Sequence, residues 1–329
     1  MTIEKRAVKA DDDGVRLDRW LKKYYPALPH ALVQKLVRTG QVRIDGGRAK
    51  SDARLLTGQE IRVPAHYATP PGQVAPSLRA PPGMSKGDRD FIEQMILFEN
   101  EFVAILNKPF GIAVQGGSKT TRHIDGLLAG MADRFGGERP RLVHRLDRDT
   151  TGVLVVAKDR QTAARLGRLF QTRSVQKIYW ALTRGVPKPH QGKVEAALVK
   201  SSGPDGDRVR KAKPGEQDEA QHATTHYAVI DKVATKIAWV SLKPVTGRQH
   251  QLRAHMDLLG TPILGDQKYG ESEPSPVENV ENKLHLHARR LAFKDAHLGI
   301  IDVTAPLPPH MQRSFDLLGL DMTRYDVFS

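Results

Sequence analysis

The chain has 329 residues, 39% of them hydrophobic and 27% charged, which is length enough for about two globular domains with cores of their own. Its 51 Lys and Arg outnumber 37 Asp and Glu by 14, a surplus that favours a polyanionic partner, nucleic acid ahead of a membrane surface. The absence of cysteine excludes disulfides, thiolate catalysis and cysteine-held zinc, and no apolar run approaches the roughly 18 residues of a membrane span or a secretion signal, so a cytoplasmic protein without a membrane partner is expected.

Leu17, Trp20, Leu21 and Tyr24 recur at helical spacing and predict a helix over residues 16–25, with Arg19, Lys22 and Lys23 on its opposite face. "PHALVQKLVRTG" (29–40) predicts a second helix: Leu32, Val33, Leu36 and Val37 make the stripe, Pro29 suits the first turn and Gly40 the C-terminal cap. "VRID", the turn "DGG" and "GQEIRVP" predict a small sheet behind them. Between Arg16 and Val63 eleven Lys or Arg face four acids, so half of the whole charge excess sits in 48 residues. Such density is the footprint of a phosphate-binding module, because neutralised phosphates release counterions. "RLDRWL", "LVRTGQVRIDG" and "GQEIRV" resemble the alpha-L RNA-binding motif of the S-four type. The resemblance implies RNA contacts from Arg19, Lys22, Lys23, Lys35, Arg38 and Arg43 within a small α/β domain over 14–64.

Residues 64–88 hold six prolines and three glycines without periodicity, and predict a semi-extended linker over 65–90. From 91 to 329 strands mix with helices. "FVAILNKPFG", "GVLVVAKD", "KIYWALTRG" and "TKIAWVSLKP" read as buried strands, "RQTAARLGRLFQT" as an amphipathic helix, and polar residues 200–220 as a loop or irregular hairpin. Without strict βαβ alternation this order predicts an α+β domain with a mixed or antiparallel sheet.

Thirteen histidines invite a metal, but His144 with Asp147, His250 with His255, and His285 with His287 reproduce no metal framework, so none is expected. The glycines at Gly116–Ser118 and Thr246–Gln249 fit turns and not phosphate loops. One stretch stands apart, "RLVHRLDRDTTGVLVVAKD" (141–159). A carboxylate between two arginines is ordinarily a surface ion pair of less than about 1 kcal/mol. Here Asp147 precedes "TTG" and a strand expected to be buried on both faces, which would hold its loop still, and loops on a rigid sheet are where reactive groups are commonly held.

"HRLDRDTTG" (144–152) resembles the HRLDxxTSG motif of the RNA pseudouridine synthases of the RluA superfamily. "NKPFG" (107–111), "KIYWAL" (177–182), "PVTGRQHQLRAHM" (244–256), "LGDQKYG" (264–270) and "LHLHARRLAF" (284–293) follow in the order of that family. The layout, with "AVQGGS" (113–118), is most similar to the RluC branch; it departs in Thr151 for a usual serine, Gln249 for a usual threonine and Gln115 for a usual histidine. The resemblance implies a pseudouridine synthase domain that isomerises uridines of 23S ribosomal RNA, in the large subunit, as a monomer and with no cofactor or metal. It also implies Asp147 as the catalytic carboxylate, attacking sugar or base or taking a sugar proton. Arg253 becomes its basic partner, Tyr179 the aromatic that stacks on uracil, and Arg145 the residue that fills the space of the flipped base. Asn107, Lys108, His144, Thr151, Lys177 and Arg248 become supports of the site. A non-catalytic RNA-binding ribosome-assembly factor is the alternative, disfavoured by the joint presence of Asp147, Tyr179 and Arg253. A glycosidase would need a second motif carboxylate, for which Asp149 is the nearest candidate.

Overall fold

The computed structural model describes residues 3–26, 28–67, 84–116, 122–172, 174–203, 206–270, 275–324 and 326–328. The expected linker falls largely on residues 68–83 and there lies outside the described residues, as do Gly117 and Ser118 of the glycine cluster. Two compact units divide the chain, Met1–Gly83 and Met84–Ser329.

The small unit holds β1 (Ile3–Ala7), α1 (Leu17–Tyr24), α2 (His30–Arg38), β2 (Arg43–Ile44), β3 (Gly47–Arg48) and β4 (Glu60–Pro64). Its strands form an antiparallel sheet in the order β1-β4-β2-β3. The apolar stripes of both helices do what their spacing foretells. Leu17, Trp20 and Leu21 from α1 and Val33, Leu36 and Val37 from α2 close on Ile61 and Val63 of β4. β1, ahead of the segment 14–64, pairs with β4 along its full length.

The large unit runs α3 (Lys86–Glu93), β5 (Ile96–Glu99), β6 (Val103–Lys108), α4 (Ile124–Ala129), β7 (Arg141–Leu142), β8 (Thr151–Ala157), α5 (Arg160–Gln171), β9 (Gln176–Arg184), β10 (Gln191–Gly203), β11 (Gly206–Lys211), β12 (Gln221–Val233), β13 (Ile237–Pro244), α6 (Gln251–Leu258), β14 (Leu286–Asp295), β15 (Gly299–Thr304) and α7 (Pro309–Leu318). Eleven strands share one sheet, ordered β11-β10-β12-β13-β9-β14-β8-β6-β5, with β15 added to β14 and β7 to β8. All pairs are antiparallel except β14 with β8, so the fold is the expected α+β arrangement with a mixed sheet. The polar stretch 200–220 is more regular than a loop. β10 and β11 pair in register from Leu198↔Lys211 to Gly203↔Gly206, since main-chain pairing needs no apolar side chains at a sheet edge.

β8 is buried at all seven positions. Leu154 and Val156 pack with Ile124 and Leu128 of α4 and Ile92 of α3, whereas Val153 and Val155 pack on the other side with Leu166 of α5. Helices on both faces explain the unbroken apolar run, which an exposed strand would have interrupted with polar residues.

Candidate active site

The segment between β7 and β8 is held from both sides. His144 Nε2 accepts the amide hydrogen of Val155 at 2.8 Å, and its ring stacks on Phe170 of α5. Leu146 is buried in the core beneath α4. The carbonyl of Arg148 accepts from Lys108 Nζ at 2.7 Å and from the amide of Gly111 at 3.2 Å. Thr151 Oγ1 meets His287 Nδ1 at 2.8 Å across the β8–β14 pair. The intervening side chains, Arg145 and Asp147, line an open cleft.

Gly152 makes the crossing of β8 over β14 feasible. Its φ is +103°, and a Cβ there would lie 2.2 Å from the carbonyl oxygen of Ala288, a contact no side chain can relieve. Lys108 is fully buried and also donates to the carbonyls of Pro109 and Ile112, both at 2.9 Å; burial pushes its ammonium down to about 7, opposed by the charges of Asp149 and Asp147. Asn107 precedes it at the end of β6, opposite Val153.

The other wall of the cleft comes from β9 and α6. Tyr179 lies on β9 opposite Ala288, and burial, reinforced by the negative charge of Asp147, pushes its phenol up. It is therefore a neutral ring at pH 7, suited to stacking on a base and to donating a hydrogen bond; it can take a proton only after giving up its own. Lys177, two residues earlier on the same strand, also lines the cleft, and burial pushes its ammonium down. Arg253 Nη1 stands 3.5 Å from Asp147 Oδ2.

Arg253 has a closer partner than Asp147. Its Nε and Nη2 donate to Asp266 at 2.7 and 2.6 Å, a two-point pair with an aspartate whose side chain is wholly buried. Burial alone would lower the Arg253 pKa, but the Asp266 hydrogen bonds and the two carboxylates raise it instead. Asp266 in turn accepts the amides of Lys268 and Tyr269. The backbone before it needs glycine: Gly265 has φ +70°, and a Cβ there would lie 1.9 Å from the carbonyl oxygen of Lys283. Gln251 secures the preceding turn, accepting from Thr246 Oγ1 and the Arg248 amide while donating to the Thr224 carbonyl and Thr225 Oγ1.

The structure thus brings Arg145, Asp147, Lys177, Tyr179, Arg248 and Arg253 to one cleft. Lys108, Thr151 and His144 sit behind its floor, and His144 is turned towards α5. Arg148 pairs with Asp149 at 3.1 Å and not with Asp147. Sequence reasoning gave no role to Asp266, Tyr269, Gln251 or His250. "GDQKYG" and "RQHQLR" contain them, but no spacing within those stretches marks their roles. His285 and His287 are buried, bonded to Ser314 Oγ and Thr151 Oγ1, and among the described residues no cluster of three His, Asp or Glu could hold a metal. On the small unit Arg19, Lys22, Lys35 and Arg38 are exposed. Lys23 pairs with buried Asp12 at 2.5 Å, and Arg43 donates to the carbonyls of Gly40 and Gly46.

Residues 102–258 match the RNA pseudouridylate synthase family, and residues 15–61 match the S4 domain. The chain belongs to the RNA pseudouridylate synthase family, whose reaction turns uridine into pseudouridine. It is 35% identical over 301 residues to the ribosomal large subunit pseudouridine synthase C of Haemophilus influenzae, covering 89% of this chain and 88% of that protein. It is 33% identical over 388 residues to RNA pseudouridine synthase 4, mitochondrial, of Arabidopsis thaliana, covering 95% of this chain and 81% of that one. Among solved structures it resembles human RNA pseudouridylate synthase domain containing 4, with a TM-score of 0.61 and 33% identity over 72% of this chain and 98% of that one. Within the RluA superfamily the chain is RluC-like.

Proposed function

We propose that this enzyme isomerises uridines of large-subunit, 23S ribosomal RNA, drawing each target base into the cleft that holds Asp147. The observation that carries the reading is the Asp147 carboxylate on a fixed loop, facing Arg253 at 3.5 Å and sharing its cleft with Tyr179. Similarity over most of the chain to a ribosomal large subunit pseudouridine synthase C supports the choice of RNA. Extruding a paired or stacked base costs a few kcal/mol. Stacking on an aromatic ring returns about 1–3 kcal/mol per base, and phosphate contacts of the basic unit supply the remainder.

In this reading Asp147 is the reacting carboxylate, attacking the ribose carbon or the base, or taking a proton from the sugar. Tyr179 holds the uracil by its face, Arg253 anchors the carboxylate, and Arg145, exposed at the cleft, fills the space the base leaves. Lys177 and Arg248 border the bound nucleotide, while Asn107, Lys108, His144 and Thr151 support the loop from behind. Residues 14–64 serve as the RNA-binding domain, with Arg19, Lys22, Lys35 and Arg38 exposed to the RNA and Lys23 and Arg43 partly engaged within the fold. The linker is shorter than the expected 65–90, because α3 (Lys86–Glu93) packs Ile92 into the core of the large unit; residues 68–83 serve as linker and 84–329 as the catalytic domain. The protein acts as a monomer in the cytoplasm; among the described residues no helix is long and apolar enough to cross a membrane. Mapping pseudouridines in 23S ribosomal RNA from cells with and without the protein tests the proposal. Specific sites should disappear with the protein and return with it, and an unchanged map would refute the assignment.

A further inference from the structure

His250 lies one residue before α6 with φ +50° and ψ 17°, the left-handed region that a non-glycine residue enters only under strain. Capping does not account for it, because its side chain makes no hydrogen bond to the first turn of α6. The conformation instead aims the ring into the cleft. Nε2 stands 3.8 Å from Asp147 Oδ1, and Nδ1 lies 3.1 Å from the hydroxyl of Tyr269, against whose ring it packs edge-on.

The hydrogen-bond pattern selects one tautomer. The Tyr269 hydroxyl oxygen already accepts the amide hydrogen of Val209 on β11 at 2.7 Å, which leaves its own proton for His250 Nδ1. The imidazole then carries its proton on Nε2, directed at Asp147 Oδ1. The opposite tautomer would turn a lone pair towards the carboxylate. Charged and titratable groups facing the ring are Asp147, Arg253, Lys268, Asp266 and Tyr269, and burial, the largest influence, pushes the imidazole down so that it is neutral at pH 7.

Arg253 reaches only Oδ2 of Asp147, and its two bonds to Asp266 keep it from following the carboxylate if that group rotates. We propose that His250 is a positioning residue for the isomerisation: oriented by Tyr269, its Nε2–H holds Oδ1 of Asp147 while Arg253 holds Oδ2. The two contacts fix the direction from which the carboxylate meets the nucleotide, and the 3.8 Å approach tightens when RNA displaces water from the cleft. The inference rests on Asp147 being the reacting group.

The test is single-turnover pseudouridine formation on the ribosomal RNA substrate by His250→Leu, His250→Gln, Tyr269→Phe and the Leu/Phe double variant, with Asp147→Asn alongside. Misplacing a reacting group by about 1 Å costs on the order of a hundredfold, so His250→Leu should lose about that factor in kcat with KM changed by less than about threefold. His250→Gln keeps an N–H donor and should recover about tenfold of the loss. Tyr269→Phe should slow the reaction about tenfold by itself, and the double variant should be little slower than His250→Leu alone, because both residues act through one contact. Should His250→Leu fail to fold, His250→Gln and Tyr269→Phe carry the comparison. Wild-type kcat in both of those, a loss confined to KM, or full additivity in the double variant would overturn the inference. Turnover by Asp147→Asn would instead overturn the reading of the site itself.

Discussion

Replacing Asp266 with asparagine removes the charge beneath Arg253 and leaves the shape almost unchanged. The native carboxylate, with its side chain wholly buried, accepts from Arg253 Nε, Arg253 Nη2 and the amides of Lys268 and Tyr269 at 2.7, 2.6, 2.9 and 3.1 Å. Asparagine offers one acceptor oxygen and turns an NH2 group against donors on its other side. The buried guanidinium is left with Asp147 at 3.5 Å as its nearest anion. Breaking one side of a buried pair costs about 3–5 kcal/mol. In a unit of this size each kcal/mol moves the midpoint by about 2–4 °C, so the Tm of the large unit should fall by roughly 6–20 °C. Turnover should fall on the order of a hundredfold even where the variant is folded, because Arg253 is free to swing onto Asp147 and displace it from its working position. Calorimetry, with single-turnover pseudouridine formation at a temperature where both proteins stay folded, reads the two effects separately. A Tm and rate indistinguishable from wild type would show that Arg253 needs no partner beyond Asp147, and the electrostatic frame described above would fall.

Gly152→Ala sets a Cβ against the carbonyl oxygen of Ala288 at 2.2 Å and should cost more than about 3 kcal/mol, among the severest single substitutions; a wild-type melting curve would contradict the tight β8–β14 crossing. Burial pushes His285 down to about 4 and His287 down to about 3, whereas in the unfolded chain histidine takes up its proton near pH 6.5. Below that pH the unfolded state binds more protons, so stability should fall as pH drops from about 6.5 towards 4, by up to about 2 kcal/mol per histidine by pH 5. Urea unfolding at pH 7 and pH 5 checks this, and equal stabilities would count against it. Removing the four exposed cations Arg19, Lys22, Lys35 and Arg38 together should weaken RNA binding and lower the slope of log affinity against log salt by roughly 3, and an unchanged slope would remove them from the interface.

The elements legible in the sequence are those in which one pattern meets one environment. Leu17, Trp20 and Leu21 face a single core, and the run 153–157 is enclosed on both faces, so the helix α1 and the strand β8 could be read directly. α6 could not, because Gln251 to Met256 are all buried and a helix covered all round shows no polar face. β12, "QHATTHYAVIDKV", mixes polar and small residues, and its place between β10 and β13 is set by pairing that spans distant segments. At the site, motif resemblance brought Asp147 and Arg253 together across 106 residues, a closure the structure reproduces at 3.5 Å. Asp266 escaped notice because its bond to Arg253 needs the turn that Gly265 permits against Lys283. His250 escaped because its contact with Asp147 depends on a left-handed backbone that no spacing rule anticipates.

Asp147→Asn offers the most direct measurement, with pseudouridine formation and RNA binding followed on the same preparation. Loss of all detectable product, with affinity for the RNA within about twofold of wild type and an unaltered salt slope, is the expected result. Continued turnover by the asparagine variant would contradict the assignment of the chemistry to the Asp147 carboxylate.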